Sequence, residues 1–143
     1  MRSPILLGCV LFASACDVVA PEDATAVRIV DVAHPSTRSD PFLLRIENIG
    51  IAGSYHAKGV TGYESSTSSS TTSTRWNFTE ICSQIPTAIE ANTTINTQIP
   101  GCGVNRVDWI VIETMEPGST TWTRTACYAA GTRSCPSDLA RER

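Results

Sequence analysis

Lysine is almost missing from this sequence. Lys58 stands alone among 11 basic residues in a chain of 143. Polybasic clusters are thereby excluded. The formal net charge of −3 also gives no electrostatic footprint for nucleic acid or an anionic membrane surface. Leucine is scarce too. After Cys16 there are 3 Leu (Leu43, Leu44 and Leu139) against 11 Ile and 9 Val. Branching at Cβ suits a pleated sheet and crowds a helix, so this imbalance points to strands. Histidine occurs only twice, and no H-x-H, H-x-x-H or H-E-x-x-H spacing exists, which leaves no metal motif. There is no G-x-S-x-G, no phosphate loop and no dinucleotide fingerprint. No cofactor is implied.

Hydroxyl groups, in contrast, abound: 33 residues are Ser or Thr. Residues 64–74 (ESSTSSSTTST) are low in complexity and bury no apolar surface, so a flexible loop is expected there. It reads as a tolerated surface insertion in preference to a site of O-linked modification or a binding loop. Two sequons occur, at Asn77 and Asn92.

The N-terminus has the pattern of an address. Arg2 and Pro4 precede an apolar run from Ile5 to Ala15. As a helix this run measures about 16 Å, roughly half of a bilayer core, but it suits a signal-peptide core. It ends Ala13-Ser14-Ala15-Cys16. This ending resembles the lipobox of bacterial lipoprotein signal peptides, with Ala13 where the family usually has Leu. The resemblance covers 16 residues. It implies cleavage before Cys16, a diacylglyceryl group on the Cys16 thiol and a fatty acyl chain, typically palmitate, on the freed amine. Leu6-Leu7-Gly8-Cys9 also matches but leaves too short an apolar core. The alternative is ordinary secretion with cleavage after Ala20, which discards Cys16.

Either route delivers the chain to an oxidising compartment. Cys82, Cys102, Cys127 and Cys135 then read as two disulfides. Three pairings are open. Cys82–Cys102 with Cys127–Cys135 is favoured, because each closes a local loop, at about 2–3 kcal/mol apiece. The intervals of 19, 24 and 7 intervening residues match no zinc module.

Residues 17–25 lack periodicity and read, with Cys16, as a tether. Seven strands follow over residues 26–136. Phe42, Leu44 and Ile46 alternate with Leu43, Arg45 and Glu47, and Asn48-Ile49-Gly50 stops the strand. Ile89 to Ile99 alternates throughout, bracketed by Pro86 and Pro100. Val107–Ile112 is apolar on both parities after Asp108, as a central strand should be. Glu116-Pro117-Gly118-Ser119 suits a type II turn into Trp122–Tyr128. Trp76 and Phe78 mark another strand. Ala26–Val32 changes parity between Ile29 and Val30, which implies a bulge. Tyr55–Val60 is the weakest pattern. Residues 137–143 allow a turn or two of frayed helix.

The expected fold is all-β: a single antiparallel β-sandwich of about seven strands, Ig-like, behind a signal peptide. The strand Phe42–Glu47 with Asn48-Ile49-Gly50 and Ala52-Gly53-Ser54-Tyr55 resembles the "N-x-G" hairpin of bacterial Ig-like and fibronectin-type envelope domains.

Two function classes fit. One is a lipid-anchored envelope module without catalysis, facing the periplasm or exterior and contacting another envelope protein or a polysaccharide. Trp76 and Trp122 are its candidate stacking surface; otherwise they cap the sandwich. The other is a small hydrolase, anchored or secreted. It needs His34 or His56 to meet Asp31 or Glu47 in a pocket. His56 shares a parity with Ser54 and Lys58, so a solvated face is expected around it. No catalytic residue is assigned by motif.

Overall fold

The computed structural model describes residues 23–66, 74–103 and 107–140. They form eight strands and one short helix: β1 (Val27–Ala33), β2 (Phe42–Asn48), β3 (Gly53–Ser66), β4 (Thr74–Ser83), β5 (Thr87–Ile89), β6 (Thr94–Ile99), β7 (Trp109–Met115), β8 (Thr123–Ala129) and α1 (Ser137–Ala140). The expected signal peptide, Cys16 and residues 67–73 lie outside the described residues.

Two antiparallel sheets face each other. One has the order β1-β2-β6. The other has the order β4-β3-β7-β8, with β5 paired to the start of β3. The chain crosses between sheets three times, from β2 to β3, from β5 to β6 and from β6 to β7, as a sandwich of this kind requires. The fold is therefore an all-β sandwich.

The inner faces build the main core. Phe42, Leu44 and Ile46 point inward from β2 and meet Tyr55, Ala57, Ile110 and Ile112 from β3 and β7. The bulge in β1 falls where the parity changes, with the register shifting between Ile29 and Asp31. Gly118 takes a positive φ of 80° and Ser119 N–H donates to the Glu116 carbonyl at 3.1 Å, the geometry a type II turn demands.

One strand of the sequence reading becomes two. Ile89 to Ile99 is broken at residues 90–93, where Asn92 adopts a positive φ of 53°. The side chain of Asn48 holds this break. Its Nδ2 donates to the carbonyls of Ile51 (2.8 Å) and Glu90 (3.1 Å), and its Oδ1 accepts from Gly50 N–H (3.0 Å). Asn48 N–H also donates to the Thr93 carbonyl. Asn48 is fully buried with its amide group satisfied, and it carries the chain from one sheet to the other. The turn preserves parity, so Ile89 and Ile99 still face the core.

β3 corrects two expectations. The weakest sequence pattern forms the longest strand and pairs with β4, β5 and β7. It also runs into the hydroxyl-rich segment, with Glu64, Ser65 and Ser66 paired to Trp76, Arg75 and Thr74. Small polar residues extend a ribbon when their backbones pair, although they bury little.

The outer face of the larger sheet carries a second apolar cluster of Val60, Trp109, Val111 and Leu139. Trp109 is 0% exposed and Leu139 2%. The segment after β8 folds back over them and ends in α1. Both faces of β7 are thus covered, which explains its apolar run. Thr25 and Leu139, at the two margins of the domain, are both buried.

Each disulfide belongs to one cluster. Cys82–Cys102 lies in the inner core, and Cys127–Cys135 pins the covering segment to β8. A Cβ on Gly59 would come within 2.5 Å of the Cys82 sulfur and 2.9 Å of Val107, so only glycine leaves room there.

Candidate functional site

Two polar arrangements lie on the outer face of the larger sheet. The first surrounds Asp108. β7 starts one residue later, and Arg133 lies on the covering segment. Arg133 Nη2 donates to Asp108 Oδ2 at 2.7 Å and to the Gly62 carbonyl at 2.8 Å. Asp108 also accepts from the Thr61 hydroxyl at 2.5 Å and from Gly62 N–H at 3.2 Å. Burial alone would raise its pKa. The Thr61 hydroxyl, the Gly62 N–H and the Arg133 guanidinium outweigh that and hold it below the ordinary carboxylate value.

The Arg133 guanidinium sits 5.3 Å from the ring centre of Trp76 and 4.8 Å from that of Trp109. Trp76 runs parallel to Phe78 and meets Trp109 edge-on at 5.4 Å. Trp109 Nε1 donates to the carbonyls of Arg133 and Ser134. Between this segment and the β3–β4 ribbon opens a cleft of about 560 Å³. Its lining includes Tyr63, Glu64, Trp76, Arg133 and Ser134.

The second arrangement is centred on Glu113 of β7. His56 Nε2 lies 2.7 Å from Glu113 Oε2, and Lys58 Nζ lies 3.0 Å from the same oxygen. Lys58 also reaches Glu80 at 3.4 Å, and Arg124 approaches Glu113 at 4.0 Å. Arg124 Nη1 donates to the Asp138 carbonyl at 2.9 Å. Burial would raise the pKa of Glu113, but hydrogen bonds and charge from His56 and Lys58 hold it below the ordinary range. Burial would lower Lys58, but Glu113 and Glu80 raise it.

His56 does share a face with Lys58, but the imidazole itself is shielded from solvent. Trp122 stacks on the imidazole at 4.0 Å between ring centres and 13° between planes. His56 is consequently 8% exposed. No local pattern announces this lid, because Trp122 lies 66 positions along the chain.

The remaining candidates separate. His34 contacts the Tyr128 hydroxyl at 3.1 Å and packs against the Phe42 ring. Asp31 accepts from Val32 N–H. Glu47 pairs with Arg28 across β1 and β2 at 2.5 Å. Neither Asp31 nor Glu47 meets a histidine among the described contacts. Trp76 and Trp122 do not form one surface. Trp76 faces Glu64, and Trp122 covers His56, about 26 Å away along β3. Of the sequon residues, Asn77 donates to the Ser65 hydroxyl within the ribbon, and Asn92 occupies the exposed turn. Among the described residues, no three His, Cys, Asp or Glu side chains converge as a metal site would need. Among the same residues, no helix is long and apolar enough to cross a membrane.

The carboxylates that matter, Asp108 and Glu113, were visible as single acidic residues flanking an apolar strand. Their partners were not, since topology alone brings Arg133 and His56 to them. No family model, curated protein or solved structure matches the chain.

Proposed function

We propose that this protein is a lipid-anchored envelope lipoprotein, held to a membrane through Cys16, whose sandwich is a non-enzymatic binding module. The observation that carries the reading is the pairing of all four cysteines beyond Cys16. Such pairs persist in oxidising compartments. With those four engaged, the lipobox-like Cys16 is left for a different chemistry, thioether formation with diacylglycerol. The cleft beside Trp76 gives the domain a place to bind, facing another envelope protein or a polysaccharide.

The hydrolase reading has one foothold, the His56–Glu113 pair. Lys58 shares the same carboxylate oxygen, Trp122 lies over the imidazole, and among the described contacts no hydroxyl reaches His56. The pair reads as a hydrogen-bonded brace beneath Trp122 rather than a general base.

The test is the intact mass of the protein from the membrane fraction, before and after thiol reduction. A chain beginning at Cys16 with added acyl mass, gaining four hydrogens on reduction, is the expected result. An unmodified chain beginning near Pro21 overturns the anchor and moves the protein to the secreted class.

A further inference from the structure

We infer that the cleft between the β3–β4 ribbon and the Cys127–Cys135 segment binds neutral pyranose units of a polysaccharide. The inference rests on the binding-module reading above, and its test separates the two.

Three observations converge. The first is a fixed aromatic wall. Trp76 lines the cleft with its plane set by Phe78, Trp109 and Arg133. Tyr63, 62% exposed, lines the same space. An equatorially substituted pyranose lays its flat C–H face on an exposed ring such as that of Tyr63, with the partly covered Trp76 as a fixed wall beside it and hydroxyls around the sugar's edge. An ordered aromatic side chain binds it with little entropy left to lose.

The second is charge. Arg133 is paired with Asp108, which offsets the positive charge it brings to the cleft. Glu64 lines the cleft and makes no ion pair among the described residues. The local field is neutral to negative, which disfavours phosphate, uronate and other anionic ligands. Glu64 and the Ser134 and Thr132 side chains supply the acceptors and donors that sugar hydroxyls need.

The third is position. The chain enters the sandwich at one end. Thr25 is held there by Thr114, which donates to its carbonyl at 2.7 Å, and Ala24 accepts from Ile51 N–H at 3.1 Å. Thr25 lies nine positions after Cys16, a reach of about 32 Å at most. β3 starts at this same end, next to Thr25, and Glu64 lies about 36 Å farther along it. The cleft thus lies at the end of the sandwich away from the chain's entry, so that a tether at Thr25 leaves it open to an extended polymer.

The experiment titrates the full mature chain, purified in detergent, with cellotetraose, tetra-N-acetylchitotetraose and trigalacturonate, followed by calorimetry. At least one neutral tetrasaccharide is expected to bind about tenfold or more tighter than the anionic sugar. Trp76→Ala and Tyr63→Ala are each expected to weaken that binding about tenfold. Glu64→Gln is expected to narrow the discrimination against trigalacturonate. Trp122→Ala, on the other end of the sheet, is expected to leave binding unchanged. Thermal melting identifies any variant that fails to fold, and Tyr63 and Glu64 are outside both apolar clusters. Absence of neutral-sugar binding by the folded wild type, binding insensitive to both Tyr63→Ala and Glu64→Gln, or equal binding of trigalacturonate overturns the proposal. The acyl mass of the same sample is read in parallel. Binding without lipid removes the anchor and keeps the cleft, and lipid without binding does the reverse.

Discussion

Single residues decide where this chain turns. Asn48 ties the β2–β3 turn and the 90–93 turn together through three side-chain hydrogen bonds. Asn48→Ala leaves two carbonyls and one N–H without that partner inside the protein. A loss of about 2 kcal/mol is expected, seen as a fall in Tm of roughly 5–10 °C. Asn48 was legible as the end of a strand. Its second role was not, because Glu90 lies 42 residues away and only the fold joins them. The same holds for His56. The alternation placed it on a face with Lys58, but nothing local announced that Trp122 would cover it.

At the scale of elements, strands were readable wherever one face is buried. β2 and β7 follow their patterns, and the β1 bulge sits where the parity breaks. The break between β5 and β6 was invisible, since a turn that conserves parity leaves the alternation intact. The end of β3 was hidden for the opposite reason: its ribbon is held by backbone pairing and not by burial. The covering segment after β8 depends on Cys127–Cys135, whose loop closure contributes about 2.5 kcal/mol. Replacing both cysteines by Ser should loosen it from Trp109. The expected readout is a red shift of tryptophan emission under conditions where the Cys82–Cys102 core stays folded. An unshifted spectrum would mean that α1 and Leu139 hold the segment without the bond.

For the whole molecule, the charged groups set the pH window of stability. Glu113 and Asp108 titrate lower in the folded chain than their ordinary values of 4.5 and 3.8. Their contribution is complete above those values and is lost as pH falls through the lower folded ones. Lys58 titrates above 10.5, so its contribution is complete below that value and is lost as pH rises past it. Thermal melts between pH 2 and 5 should therefore show Tm falling with acidity, and Glu113→Gln or Asp108→Asn should flatten that fall. A wild-type slope retained in both variants would place the acid sensitivity elsewhere.

The placement of β3 has a consequence for how the chain comes together. β3 is the central plank of the larger sheet, yet its Ser54–Val60 half waits for β7, whose partners lie 49 (109 − 60) to 61 (115 − 54) positions later. A polypeptide emerging N-terminus first can close the β3–β4 hairpin early, and Cys82 can find Cys102 soon after. Its main sheet stays half open until Met115 has appeared. Assembly is thus gated by the last third of the chain, and a truncation before β7 yields a sticky, unfinished edge rather than a smaller domain.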